Sequence, residues 1–337
     1  MNKTQLLFHV AGSRALGLGH IYRSLTIADL YPMLKEKIKF CCREEDYGFC
    51  EKIIGDSYQI DTYKGGGFFE YIAENTPYCL VNDILETSEN FMQNLKSLEI
   101  KIINFEDIGL GSQHADLVIN ELFDEPLNQF SNTVWGHKYY LLRQEFFNAK
   151  KHTFSDTVKS ILITFGGTDQ NNLTDKALDD IWKICLEHQI EINIVTGGGY
   201  LYKDDLEDKI SFLKSQKLKI TFEHHSGLIS SIMEKCQLAI TSNGRTIYEL
   251  AHLKIPSIVF SHHEREVTHL FAQKSNGFFP LGLYDKNSSK NLSNLTSKLI
   301  RDRTFRLEAF NKIEKNLFSG NKIRVKNLLN SVLKGQS

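Results

Sequence analysis

The stretch Ala15-Leu16-Gly17-Leu18-Gly19-His20-Ile21-Tyr22-Arg23 places two glycines, a histidine and an arginine close behind the apolar run Leu6–Val10. The run reads as a buried strand. Ile21 to Tyr31 reads as a helix, with Ile21, Leu25 and Ala28 on roughly one face. Glycines such as Gly17 and Gly19 let a backbone approach a ligand closely, and a helix N-terminus offers unpaired N–H groups to an anion. A histidine on that rim exchanges a proton near neutral pH. The segment thus offers a phosphate-friendly floor and a proton carrier. The plainer alternative is a tight turn whose histidine faces solvent, because a lone glycine pair is a weak signal.

Two later loops carry related chemistry. After a second apolar run come Phe165-Gly166-Gly167-Thr168-Asp169, then Asn171-Asn172-Leu173-Thr174. Gly166, Gly167 and Thr168 could present backbone N–H groups to a diphosphate, while Asp169 or Asn172 would cap the helix that follows. The third loop is Ser242-Asn243-Gly244-Arg245-Thr246. Its small residues admit an anion, and Arg245 could add a charge-assisted contact. Glu249, about one helical turn further, could accept hydrogen bonds from the two hydroxyls of a ribose; alternatively it pairs with Arg245 at helical spacing, a contact of little worth.

Acids also stand at strand ends, in Asn82-Asp83 and in Glu106-Asp107, where an α/β sheet faces its ligand; an isolated Asp there is more often a cap or turn residue. Arg143 and Glu145 read as a structural pair tying a linker to a domain. The run Ser261-His262-His263-Glu264-Arg265-Glu266 invites a metal, but consecutive loop residues rarely converge on one ion and no second cluster completes a set. His263 and Glu264 therefore read as part of a substrate-facing loop, and His224-His225 as solvated. No metal and no cofactor are expected.

The elements that must hold these residues alternate in type. Candidate strands are Leu6–Val10, Ile38–Cys42, Tyr58–Ile60, Tyr78–Val81, Lys101–Phe105 and Leu117–Ile119, then Ser160–Phe165, Glu191–Val195, Leu218–Phe222, Leu238–Thr241 and Ser257–Phe260. Candidate helices are Ile21–Tyr31, Gly48–Ile54 and Ser88–Leu98, then Thr174–His188, Leu228–Cys236, Thr246–Leu253, Val267–Ser275, Asn291–Ile300, Arg303–Leu317 and Lys322–Leu333. Strands alternating with helices point to parallel sheets covered on both faces. A polar segment from Asn148 to Thr157 marks the expected boundary, giving domains 1–150 and 151–337, with the last helices able to pack back on the first.

At 337 residues the chain is comfortable for two domains, and 41% hydrophobic with 24% charged residues is ordinary for a globular protein. A net charge of −1 argues against nucleic acid or an anionic membrane surface as partner. No apolar run reaches the length of a membrane span, and the start of the chain has no signal-peptide pattern. The six cysteines fit no paired metal-ligand spacing and read as reduced thiols, so a cytoplasmic location is expected.

Taken in order, Gly-x-Gly-His-x-x-Arg, Phe-Gly-Gly-Thr-Asp and Ser-Asn-Gly-x-Thr-x-Tyr-Glu resemble the hydrolases of pseudaminic acid biosynthesis that cleave UDP-2,4-diacetamido-2,4,6-trideoxy-β-L-altropyranose. The resemblance runs from Leu6 to about Gly277. It takes in Asn82-Asp83, Phe105 to Asp107 and Leu142-Arg143-Gln144-Glu145-Phe146. That family is related to the peptidoglycan N-acetylglucosaminyltransferase. The fold it implies is α/β and GT-B-like, with two doubly wound Rossmann-like domains facing each other across a cleft. It implies His20 as the catalytic group and Gly166, Gly167, Thr168, Ser242, Asn243, Gly244, Thr246 and Glu249 as ligands of UDP. Gly17, Gly19, Arg23, Asp83, Arg245, His263 and Glu264 complete the expected substrate contacts. Two positions depart from the family. His9-Val10-Ala11 stands where the family has Arg-x-Asp, and His263-Glu264 where it has an Asn-Gln pair; both lie where the sugar would sit.

The reaction so implied is attack by water on the anomeric carbon with inversion and loss of UDP, the partner being a small-molecule nucleotide sugar. A glycosyltransferase of the same fold, using a hydroxyl acceptor, is the nearest rival. A non-catalytic nucleotide-sugar-binding protein is the second.

Overall fold

A computed structural model describes residues 4–12, 17–316 and 318–334. Ala15 and Leu16 ahead of the first glycine turn, and Leu317 at the expected end of a helix, lie outside the described residues. The first series of elements is β1 (Leu6–Val10), α1 (Gly19–Ala28), β2 (Ile38–Arg43), α2 (Tyr47–Ile54), β3 (Gln59–Tyr63), α3 (Phe68–Asn75), β4 (Cys79–Asp83), α4 (Glu89–Lys96), β5 (Lys101–Phe105), β6 (Leu117–Asn120) and β7 (Thr133–Trp135). The second is α5 (Gln144–Asn148), β8 (Ser160–Thr164), α6 (Leu173–Glu187), β9 (Glu191–Thr196), α7 (Lys203–Ser215), β10 (Ile220–His224), α8 (Ile229–Met233), β11 (Leu238–Ser242), α9 (Thr246–Leu253), β12 (Ser257–Ser261), α10 (Glu264–Val267), β13 (Phe279–Leu283), α11 (Ser288–Arg301) and α12 (Arg303–Ile313). A last helix, α13 (Asn321–Leu333), ends the described chain.

Two units result. The first holds the described residues up to Leu141 and those from Phe318 onward; the second begins at Leu142. Residue 150 thus lies inside the second unit. The segment around it is bound there, since the Lys150 N–H donates to the Glu234 carboxylate and the His152 N–H to the Leu253 carbonyl. In the first unit, Asn321 of α13 donates to the carbonyls of His137 and Tyr140.

The first unit is a seven-stranded parallel sheet in the order β3-β2-β1-β4-β5-β6-β7. The pleat of β1 sends Leu6, Phe8 and Val10 into one layer, with Ile21, Phe40 and the α13 residues Val325 and Leu329, and Leu7 into the other, with Met92 and Leu95. The second unit is a six-stranded parallel sheet, β10-β9-β8-β11-β12-β13. All five residues of β1, β8 and β11 are buried, which is why these strands are mostly apolar and do not alternate with polar residues. In each sheet the chain reverses its direction of growth once, between β1 and β4 and between β8 and β11. Those two switch points open the crevices where α/β sheets bind ligands.

Besides α10, five elements were not expected, the short α5 among them. Strand β7 is only three residues long, and β13 contains Pro280 and Gly282, which weaken a strand signal. Helix α3 lies behind three glycines, and α7 is mostly polar, burying Leu206, Ile210 and Leu213 while Phe212 stays exposed. The helix expected over Val267–Ser275 is absent. Here α10 ends at Val267, and the Asn243 side chain binds the carbonyls of Glu266 and His269, which a continuing helix would have used.

Candidate functional site

His20 is the second residue of α1, at the carboxyl end of β1, and Asp83 is the last residue of β4, the strand paired with β1. The switch point brings them together: His20 Nδ1 lies 2.5 Å from Asp83 Oδ1. The carboxylate is an acceptor only, so the ring nitrogen beside it carries the proton and Nε2 is left as the ring's basic site. The histidine side chain keeps 10% exposure while Asp83 has none.

Arg23, one turn further along α1, holds the acid. Its Nε donates to Asp83 Oδ2 at 2.7 Å, its Nη2 pairs with Asp83 Oδ1, and its Nη1 reaches Glu121 at 3.2 Å. Glu106 stands 3.8 Å from the same guanidinium. Burial pushes the Asp83 carboxyl up, but Arg23 and His20 more than reverse this and hold it well below the usual carboxylate range. Burial likewise opposes the charge on Arg23, and Asp83, Glu121 and Glu106 together raise it above its ordinary value. Arg23 and Asp83 are 1% and 0% exposed and stand behind the histidine. Asp107 is buried too. It organises a turn, accepting from the Thr87 N–H and hydroxyl, the Gly109 N–H and Asn104.

In the second unit, the Gly166-Gly167-Thr168 turn follows β8 and the Ser242–Arg245 turn follows β11, on either side of the second switch point. Gly166 adopts φ +80°, a conformation costly for any residue with a Cβ. A side chain there would approach Ser242 Oγ at 4.0 Å, and one at Gly244 would meet the same hydroxyl at 3.8 Å, so both glycine turns gather at Ser242.

The two helices that follow differ at their N-termini. Asp169 closes α6: its carboxylate oxygens accept the N–H groups of Leu173 and Thr174, both at 2.8 Å. Among the described residues no side chain caps α9, whose first residues are Thr246 and Ile247. Of these two helices α9 is therefore the one whose N-terminus suits an anion, with Gly244, Arg245 and Thr246 half-buried around it.

Asn243 has another task. Its backbone N–H donates to the Phe260 carbonyl, and its side-chain amide donates to Glu266 and His269 carbonyls. It braces the loop after β12. The same loop is tied to the first glycine turn, where the His262 ring reaches the Phe165 carbonyl and Asn171 donates to the His262 carbonyl. Glu266 accepts the His262 N–H at 2.8 Å. His263 and Glu264 are exposed at the start of α10.

Glu249 is 4% exposed, and its Oε1 accepts from Arg143 Nε at 2.8 Å. Arg143 also pairs with Glu145 at 2.7 Å. Sequence reasoning missed Glu121, the link from Arg143 to Glu249, and Gly197-Gly198-Gly199. That triplet follows β9, and the Gly199 N–H donates to the Gly167 carbonyl. Three glycines behind an apolar run were a legible signal. Among the described residues no three His, Cys, Asp or Glu side chains gather to hold a metal, and no helix is long and apolar enough to cross a membrane.

No protein-family profile matches the chain. It is 31% identical over 270 residues to an uncharacterised protein of Methanocaldococcus jannaschii, a match covering 75% of this chain but only 54% of that relative's length. It is 22% identical over 259 residues to the UDP-2,4-diacetamido-2,4,6-trideoxy-β-L-altropyranose hydrolase of Campylobacter jejuni, covering 74% of this chain and 89% of that one. Among solved structures, MurG of Acinetobacter baumannii superposes with a TM-score of 0.67 over 97% of this chain and 99% of its own, at 12% identity. The chain has the GT-B fold, two Rossmann-like domains each built on a parallel sheet.

Proposed function

We propose that the chain acts on a nucleotide sugar and hydrolyses it, releasing UDP from an amino-deoxy sugar in surface-glycan or nonulosonic acid biosynthesis. The observation that carries this reading is the contact between His20 Nδ1 and Asp83, which leaves Nε2 able to take a proton. The Campylobacter relative, a hydrolase of a UDP-linked diacetamido sugar by name, supports the substrate class.

In the proposed reaction, His20 Nε2 removes a proton from water as the water oxygen bonds to the anomeric carbon. The bond from that carbon to the diphosphate oxygen breaks with inversion, and UDP departs with the electron pair. The second unit holds the diphosphate at Gly166, Gly167, Thr168, Gly244, Arg245 and Thr246, with the open N-terminus of α9 stabilising the developing charge. Glu249 takes the ribose. His263 and Glu264 face the sugar, as do Gly17 and Gly19.

The purified chain, incubated with a panel of UDP-sugars in ¹⁸O-labelled water without any acceptor, tests this by mass spectrometry. The reading requires UDP release with one label in the free sugar and none in UDP. Label in UDP would place the attack at phosphorus, and release only on adding a hydroxyl acceptor would make the chain a glycosyltransferase.

A further inference from the structure

Arg143 is the second residue of the second unit, and its guanidinium lies between two carboxylates from separate parts of the chain. Its Nε donates to Glu249 Oε1 at 2.8 Å, and Nη1 lies 2.7 Å from Glu145 Oε1. Glu145 is itself held, because its other oxygen accepts the Ser230 N–H at the first turn of α8 at 3.1 Å. The Arg143 guanidinium also lies over the Phe146 ring, 5.1 Å from its centre. The chain of contacts runs Ser230, Glu145, Arg143, Glu249, and its far end is a buried carboxylate on the first turn of α9, just past the Ser242–Arg245 turn.

A buried carboxylate without a cation is costly, and a carboxylate on a flexible side chain accepts poorly from two hydroxyls fixed on one ring. Arg143 meets both needs. Arg143 is a planar donor pinned by Glu145 and the Phe146 ring, so its Nε–H reaches Oε1 from a fixed direction, which the flexible ammonium of a lysine does not provide. With Oε1 oriented by Arg143, Oε2 and the second lone pair of Oε1 remain for other donors. We infer that Arg143, held from behind by Glu145, is the positioning residue that aims Glu249 at a vicinal diol, so that this contact sets the preference for a ribonucleotide. The inference rests on the reading that this unit binds a nucleoside diphosphate with Glu249 at its ribose.

Calorimetry with UDP and with 2′,3′-dideoxy-UDP, which lacks both hydroxyls, separates the two. The wild-type chain is expected to prefer UDP by about tenfold or more. Arg143→Lys, Glu145→Gln and Glu249→Gln, and Arg143→Met if it folds, are expected to cut that preference to about threefold or less. Their affinity for the dideoxy analogue should stay within about twofold of wild type, which a collapse of the site would not allow. Full discrimination in Arg143→Lys and Glu145→Gln, or equal loss of both ligands, overturns the inference while leaving the nucleotide reading intact. A wild-type chain that binds neither ligand, or binds both alike, overturns that reading and the inference with it.

Discussion

Asp83 Oδ1 lies 2.5 Å from His20 Nδ1, and this one contact decides which ring nitrogen is free to act as a base. Asp83→Asn tests it. Both oxygens of Asp83 are engaged, one by His20 and Arg23 and the other by Arg23 and Ser24. An amide keeps a single acceptor. In either orientation the NH2 collides with an N–H of Arg23; placed at the Oδ1 position it also meets His20 Nδ1 and favours the tautomer that protonates Nε2. Turnover per folded molecule should fall by roughly 10²- to 10⁴-fold. Stability should fall by roughly 3–5 kcal/mol, because a buried pair loses one charge. Unfolding curves beside initial rates check both, and a variant with wild-type turnover would remove Asp83 from the mechanism.

His20→Ala is the companion case. It removes the base and leaves the nucleotide loops of the second unit untouched. Turnover should drop below detection while the Kd for UDP stays within about twofold of wild type. Parallel loss of catalysis and UDP binding would mean that the ring holds up the fold instead.

Asp169 separates a capping role from a ligand role within the Gly166–Asp169 turn. Its two oxygens close the first turn of α6, and it is 1% exposed. Asp169→Ala should cost about 1–2 kcal/mol of stability and leave the Kd for UDP unchanged. Thermal melts and calorimetry read the two quantities separately. A tenfold weaker Kd with an unchanged melt would assign the diphosphate to α6 rather than α9.

The contrast between these residues also shows what a sequence exposes. The cap at Asp169 was legible because it is local, four and five residues from the N–H groups it binds. The glycine turns were legible because each follows an apolar strand. The partner of His20 was not, because 63 residues separate it from Asp83 and only the sheet order sets β4 beside β1. For Glu249 the sequence offered Arg245 at helical spacing, whereas in the fold Arg143, 106 residues away, donates to it. Asp83 read as a ligand contact because acids at strand ends stand on the ligand-facing edge of an α/β sheet, and Arg23 because of the family motif; their mutual compensation in the interior was not legible, since it too depends on the pairing of β1 with β4. The short α10 in place of a longer helix has the same origin, since the Asn243 side chain competes for its carbonyls.

His9 links the fold to pH. It stands in β1 at 3% exposure, stacked on Phe68, with Nδ1 3.1 Å from Asn82 Oδ1 and Nε2 2.6 Å from the Tyr63 hydroxyl. In the neutral ring Nδ1–H donates to Asn82 and Nε2 accepts from Tyr63, so both partners are served without charge. Burial lowers its pKa from 6.5 to about 3, the hydrogen bond to Asn82 only partly opposing this. An unfolded chain takes up the proton below about pH 6.5, whereas the folded chain resists it until about pH 3. The unfolded state therefore binds more protons in between, and the stability contributed by neutral His9 is complete above 6.5 and lost as the pH falls. The limiting slope is about 1.4 kcal/mol per pH unit for one such group. His252, lowered to about 4 chiefly by burial, adds a contribution of the same sign. His9→Gln keeps a donor for Asn82 and an acceptor for Tyr63 but cannot titrate. Its unfolding free energy, measured by denaturant between pH 7 and 4.5, should decline less steeply than that of the wild type by up to one proton's worth of slope. Parallel profiles would show that His9 does not contribute to the acid sensitivity of the first unit.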